Sequence, residues 1–114
     1  MTTATFIRQG GALWGFQVRG HAGYAASGSD IVCSAVSVAT HMTYLGLSEV
    51  LGLKVQVDKD DRAGMMCLAV AESDVDAAQP MLETLKGELR IIARQYPRNL
   101  TITYRERREF KCFS

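Results

Sequence analysis

The longest stretch without Asp, Glu, Lys or Arg, residues 31–48, limits the folds that this chain can adopt. It is too long for a strand of a small domain, and its apolar residues recur at helical spacing, so it predicts a helix. Apolar residues cover so much of its circumference that we expect burial on more than one side. Asp30, or else Ser29, is a suitable N-cap. The apolar residues form one stripe of Ile31, Ala35, Val38, Met42 and Leu45, and an adjacent stripe of Val32, Val36 and Ala39.

Strand patterns lie on both sides of this helix. Gly10 and Gly11 place a turn between the first two strands, and the polar residues 59–64 predict a turn between the next two. The continuous apolar run at residues 65–71 is typical of a central strand. Alternating or continuous apolar residues predict five strands in all, at residues 5–8, 14–18, 53–57, 65–71 and 100–104.

A second helix is predicted from Ser73 or Asp74 to Tyr96, with its leucines on one face. Pro80 lies either in its first turn or at a kink, and Pro97 ends it. The element order is therefore ββαββαβ. Since strands joined by hairpins pair in antiparallel fashion, we expect an α+β fold, with two helices packed against one antiparallel or mixed sheet. The 114 residues suit a single domain spanning residues 1–114.

Composition excludes several classes of function. Thirteen Lys and Arg against twelve Asp and Glu give a net charge of +1, so no nucleic-acid partner is expected. Residues 31–48 contain His41 and many small polar side chains, which argues against a membrane span. The N-terminal residues lack the layout of a signal peptide, and we expect a cytoplasmic protein. The three cysteines have no metal-binding spacing, so no metal site is expected. Their odd number and the missing export signal argue against a disulfide scaffold. No other cofactor is expected.

The chemistry predicted from the residues centres on Cys33 and His21. With Asp30 as N-cap, Cys33 lies in the first helical turn, where unpaired N–H groups favour a thiolate and could hold an oxyanion. His21 begins a Gly-rich surface loop, residues 20–28, that ends where this helix begins, so the imidazole can lie beside the sulfur. Alone, Cys33 suits a small packing residue and His21 a solvated one, but together they suit cysteine catalysis. His41 lies about 12 Å further along the helix and is not expected to take part.

The same segment carries a resemblance to a known family. Gly-His-Ala-Gly-Tyr-Ala at residues 20–25, then Gly28, then Asp-Ile-Val-Cys at residues 30–33, resemble the signature of the ribosomal-processing cysteine protease family (Prp). The resemblance implies a bacterial homodimer that removes the N-terminal extension of large-subunit ribosomal protein twenty-seven, cutting after an aromatic residue. It makes Cys33 and His21 the catalytic residues. From its position alone, Asp30 is a possible orienting residue for His21 or a helix cap, and a cap's oxygen is already committed to backbone N–H groups. Substrate-binding or lid residues would be Gly20, Ala22, Gly23, Tyr24 and Gly28.

Two other functions remain open. One is a non-catalytic module that binds a ribosomal protein or the ribosome through the same surface. The other is a thiol protein that uses Cys33 in redox or acyl-transfer chemistry. Of the remaining cysteines, Cys67 falls in an apolar strand and is expected in the core, and Cys112 is expected to be an exposed thiol of the tail.

Overall fold

The computed structural model describes residues 1–20, 29–62 and 64–110, with the side chains of Ser29 and Asp30 left out of the description. The order of helices and strands is ββαββαβ, as predicted. The elements are β1 (Thr2–Gln9), β2 (Ala12–Arg19), α1 (Ser29–Leu45), β3 (Val55–Asp60), β4 (Met65–Val70), α2 (Val75–Gln95) and β5 (Leu100–Glu106).

The five strands form one mixed sheet with the order β3-β4-β2-β1-β5. Strand β1 pairs with β5 in parallel, and the other three pairings are antiparallel. Strand β4 lies inside the sheet, as its continuous apolar run predicted. Side chains from β1, β2, β4 and β5 share one hydrophobic core with both helices. The α+β fold expected from the sequence is confirmed.

The two hairpin turns were predicted with unequal accuracy. Gly10 and Gly11 join β1 to β2 with φ of 59° and 79°, in the left-handed region that favours glycine. Strand β3 continues past the predicted start of its turn, because Lys59 and Asp60 pair with Met66 and Met65 of β4. Strand β3 is an exposed edge strand, so hydrophobicity does not mark its end.

Helix α1 differs from its prediction in two respects. It begins at Ser29, so Asp30 is its second residue and not its N-cap. Asp and Ser are favourable in a first turn as well as at a cap, and composition does not separate the two positions. The helix is also buried on one side only, because α2 and the sheet cover the stripe of Val32 and Val36 and nothing in the described chain covers the other. The exposed stripe consists of Ile31, Val38, Met42 and Leu45.

Residues 31–50 are long and apolar enough to cross a membrane by length and composition alone. In the fold they comprise most of α1 and a π-helical turn, Gly46–Val50. Val32, Val36 and Leu47 of this segment are buried in the core. The segment is therefore part of the folded domain.

Helix α2 is fixed to the first hairpin by the side-chain amide of Gln79. Its Oε1 accepts a hydrogen bond from Leu13 N at 2.9 Å, and its Nε2 donates to Leu13 O at 2.7 Å. Pro80 lies past the first turn, where its missing N–H removes the usual donor to the carbonyl of Asp76. Asp76 is exposed, so water can satisfy that carbonyl.

Candidate active site

A cavity of about 460 Å³ lies where the start of β1, the end of β2, α1 and the β3–β4 hairpin meet. Its apolar lining comes from Val18, Val36, Met65 and Met66. Cys33 of α1 lines the same cavity and is partly exposed. Among the residues that the structure describes, Cys33 is the free cysteine. The cavity therefore combines an apolar surface with a thiol that solvent and ligands can reach.

Cys33 is the fifth residue of α1, two residues later in the helix than predicted. Helical side chains lean toward the helix N-terminus, so the thiol lies over the first turn, residues 29–32. The N–H groups of that turn have no acceptor within the helix, and the helix dipole adds positive potential there. The thiol therefore lies near unpaired N–H groups, as predicted, but these groups belong to the residues that precede Cys33 in the helix.

Thr2 contacts both the thiol of Cys33 and Gly20, the residue that follows β2. Its Oγ1 lies 3.7 Å from Cys33 Sγ, and only 4% of the residue is exposed. A Cβ on Gly20 would lie 2.5 Å from Thr2 Oγ1 and 2.9 Å from Thr2 Cα. Gly20 N also donates to Gly64 O at 3.0 Å. Gly20 is therefore held between β1 and the β3–β4 turn, at the edge of the cavity that contains Cys33.

The predicted site residues fall into two groups. Gly20 and Cys33 line one cavity, as the prediction of a common site requires. His21 and the loop residues Ala22, Gly23, Tyr24 and Gly28, together with the side chain of Asp30, lie outside the described part of the chain.

His41 has a place that the sequence analysis did not predict. It lines the same cavity as Cys33, two helical turns further along α1, and its Nε2 lies 3.2 Å from Lys59 Nζ. This contact places the imidazole beside a lysine of β3 at the far end of the cavity. The spacing of Cys33, Ser37 and His41, four residues apart each time, could have indicated that all three share one face.

The end of the cavity near His41 is charged. Lys59 Nζ also lies 3.5 Å from Asp61 Oδ1, and Arg62 completes this part of the lining. All three charged side chains come from the β3–β4 hairpin. The cavity thus runs from a thiol beside buried hydroxyl and apolar groups to an exposed polar end.

Cys67 is fully buried, which confirms its predicted place in the core. It is also disulfide-bonded, a bond that the sequence analysis did not expect. Cys112 lies outside the described residues. Cys67 does not line the cavity of Cys33.

Known proteins resemble this chain in sequence. The family model described as "Cysteine protease Prp" matches residues 1–101. The ribosomal processing cysteine protease Prp of Staphylococcus aureus strain Mu50 is 27% identical over 89 residues, which are 75% of this chain and 81% of the relative.

Solved structures match the fold closely. The S. aureus ribosomal processing protease Prp, crystallised with a substrate peptide, has a TM-score of 0.85 at 23% identity, covering 92% of this chain and all of the other. SMU.848 from Streptococcus mutans has a TM-score of 0.81 at 26% identity, covering 93% of this chain and 95% of the other. The match of the family model over residues 1–101 settles the assignment that the signature suggested: the chain belongs to the Prp family of cysteine proteases.

Proposed function

We propose that this protein is a cysteine endopeptidase that removes the N-terminal extension of large-subunit ribosomal protein twenty-seven, cutting after an aromatic residue. The observation that carries the proposal is the placement of Cys33 and Gly20, the residue before His21, on one cavity. In this mechanism Cys33 is the nucleophile, and His21 is the base and then the acid.

The choice of His21 is supported by its sequence neighbour Gly20, which lines the cavity that contains Cys33. Thr2 bridges that glycine to the thiol through the 3.7 Å contact between its Oγ1 and Cys33 Sγ. His41 is a weaker candidate because its Nε2 is engaged by Lys59.

The reaction uses these groups in two steps. The Cys33 thiolate attacks the scissile carbonyl carbon, and the negative charge moves to the carbonyl oxygen, where N–H groups of the first turn of α1 can stabilise it. The C–N bond then breaks, and protonated His21 gives its proton to the leaving amine. In the second step His21 accepts a proton from water, which attacks the thioester and releases the acid product and the free thiolate.

The cavity supports a peptide substrate with an apolar residue at the cleavage site. Its 460 Å³ lies within the range of about 300–1,000 Å³ usual for ligand sites. Val18, Val36 and Met66 give an aromatic side chain a surface on which to bury itself. The similar S. aureus protein was crystallised with a substrate peptide, which supports the same use of this fold. Because ribosomal proteins are made in the cytoplasm, the proposal also places the protein there.

The test uses a peptide that spans the junction between the extension and the mature ribosomal protein. Cys33→Ser should abolish cleavage and retain peptide binding. His21→Ala should lower kcat by about a hundredfold or more, as expected for loss of a general acid–base. His41→Ala is the matched control, since the chain has two histidines, and its kcat should stay within about threefold of wild type.

Other outcomes would favour other functions. Binding of the peptide without cleavage by the wild-type protein would favour the non-catalytic binding module. Loss of cleavage in His41→Ala, with His21→Ala still active, would move the base to the other end of the cavity. Cleavage that survives in Cys33→Ser would end the cysteine protease assignment of this residue.

We also propose that the protein is a homodimer that uses the exposed stripe of α1. The stripe carries no charged side chain, and Met42 in its middle is 64% exposed. A patch of this kind on one helix is typical of an interface. Met42→Lys should therefore shift the sedimentation coefficient to that of a monomer, while Ile91→Lys, an exposed apolar site on α2, should leave the dimer intact. Wild-type protein that sediments as a 12.5 kDa monomer at micromolar concentration would refute the proposal.

A further inference from the structure

We propose that Thr2 is a positioning residue for Cys33, whose buried hydroxyl donates a hydrogen bond to the thiolate and holds it toward the cavity. The inference rests on the proposed role of Cys33 as nucleophile. It adds a residue from the first strand of the sheet, far from the signature segment in sequence.

The geometry places a single well-fixed hydroxyl against the thiol. Thr2 Oγ1 lies 3.7 Å from Cys33 Sγ, within the distance of a hydrogen bond to sulfur, across 31 residues of sequence. Its backbone N–H donates to Asn99 O at 2.9 Å, and its Cα is paired with that of Leu100. Gly20 packs closely against the backbone and side chain of Thr2. Strand pairing and packing therefore fix the hydroxyl before any substrate binds.

The protonation state of the sulfur sets the direction of the bond. Beside a neutral thiol, either group can donate. A thiolate has no proton, so the Thr2 hydroxyl must donate to it, and a hydrogen bond to a charged acceptor is stronger than one between neutral groups. The contact therefore stabilises the ionised form more than the neutral form.

The Thr40 hydroxyl, which also lines the cavity, is already engaged. Its Oγ1 donates to Val36 O at 2.9 Å, within its own helix. Thr2 is the side-chain hydrogen-bond partner of Cys33 among the described residues.

The test compares the pH dependence of Cys33 alkylation by iodoacetamide in wild type and in Thr2→Val, which keeps the shape and removes the hydroxyl. The fraction modified is read by mass spectrometry on the peptide that contains Cys33. Loss of a bond to a charged group should reduce the thiolate fraction about tenfold at pH values below both midpoints. A less stabilised thiolate is about threefold more nucleophilic, so the rate there should fall about threefold. Well above both midpoints the variant should react as fast as wild type or faster, and the two profiles should cross.

Two further variants separate the hydroxyl from packing. Thr2→Ser keeps the hydroxyl and should restore the wild-type profile. Thr5→Val removes a buried hydroxyl from the same strand, one that pairs with Thr103 Oγ1 at 2.8 Å and not with Cys33, and should leave the profile unchanged. If Thr2→Val does not fold, as judged by circular dichroism, Thr2→Ala removes the same hydroxyl with a smaller side chain and takes its place.

The outcomes distinguish this inference from the proposed function. A wild-type Cys33 that reacts no faster at pH 6 than a small-molecule thiol would refute the nucleophile itself. A reactive wild-type Cys33 with the same midpoint in Thr2→Val, or in Thr2→Ala where that variant is used, would refute the role of Thr2 and leave the protease intact. Two other results would also refute the role of Thr2, because each would assign it a packing role only. One is an alkylation rate of Thr2→Val that is lower than wild type by the same factor at every pH. The other is a pH profile of Thr2→Ser that matches that of Thr2→Val.

Discussion

Replacing Gly20 with alanine tests whether close packing at the end of β2 sets the geometry of the site. The new Cβ would lie 2.5 Å from Thr2 Oγ1, 2.9 Å from Thr2 Cα and 3.0 Å from Thr2 Cβ. A rotation of the Thr2 side chain can move its oxygen away but not its Cα. Since Thr2 is hydrogen-bonded to Asn99 and paired with Leu100, the strand itself has to shift.

The expected cost follows from the kind of contact. Overpacking in a well-packed site costs about 1–3 kcal/mol, and backbone contact places this case at about 2–3 kcal/mol. For a chain of this size, 1 kcal/mol corresponds to about 4 °C in Tm, so Gly20→Ala should lower the Tm by roughly 8–12 °C. Displacement of Thr2 should also move the pH profile of Cys33 alkylation in the direction expected for Thr2→Val.

Gly87→Ala is the matched control. Gly87 lies within α2, and a Cβ there would meet nothing within 4 Å. Alanine at such a helix position is more stable than glycine by about 0.5–1 kcal/mol, so its Tm should rise by about 2–4 °C. Both variants are melted at one protein concentration, because dimerisation would make the Tm depend on concentration.

The opposite signs make the comparison decisive. If Gly20→Ala melts within about 2 °C of wild type while Gly87→Ala is stabilised, the close approach of Gly20 to Thr2 does not constrain this end of the sheet. If both variants are stabilised, the packing described for Gly20 is wrong.

Two further changes test the packing around the first hairpin. Gln79→Met removes both hydrogen bonds to the buried Leu13 backbone and should lower the free energy of unfolding in urea by about 2–3 kcal/mol. Gln95→Met, at the exposed end of α2, is the control and should lower it by less than about 0.5 kcal/mol. Equal urea midpoints for the two variants would contradict this prediction. Arg107→Ala removes a guanidinium that lies 4.0 Å above the ring of Trp14. It should lower the free energy of unfolding by about 0.5–1 kcal/mol and change the fluorescence emission of the chain's single tryptophan. An unchanged emission spectrum would argue against the contact.

The sequence predicted the element order because the hydrophobic period changes clearly between segments. It could not predict that β1 pairs with β5 in parallel, since pairing partners far apart in sequence leave no local pattern. For a related reason, the exposed stripe of α1 was wrongly predicted to be buried. Periodicity identifies an apolar face, but only the number of neighbouring elements decides whether that face is covered.

The candidate site was predicted in part. Cys33 was identified from its place near a helix start, and the structure gives it a cavity. His41 was set aside on distance along the helix, although residues four and eight positions apart share a face and so line one cavity. Thr2 could not have been found, because its contact with Cys33 exists only after a strand and a helix pack together.

The pairing of β1 with β5 has a consequence for when activity can arise. Thr2 is held against Cys33 by Asn99 and Leu100, and those two residues are translated after both helices and the other four strands. A nascent chain that has emerged only as far as α2 contains Cys33 and Gly20 but lacks the strand that fixes Thr2. Under the proposed role of Thr2, the thiol is therefore held in place only once the start of β5 has been made, so a partly made chain has an incomplete site.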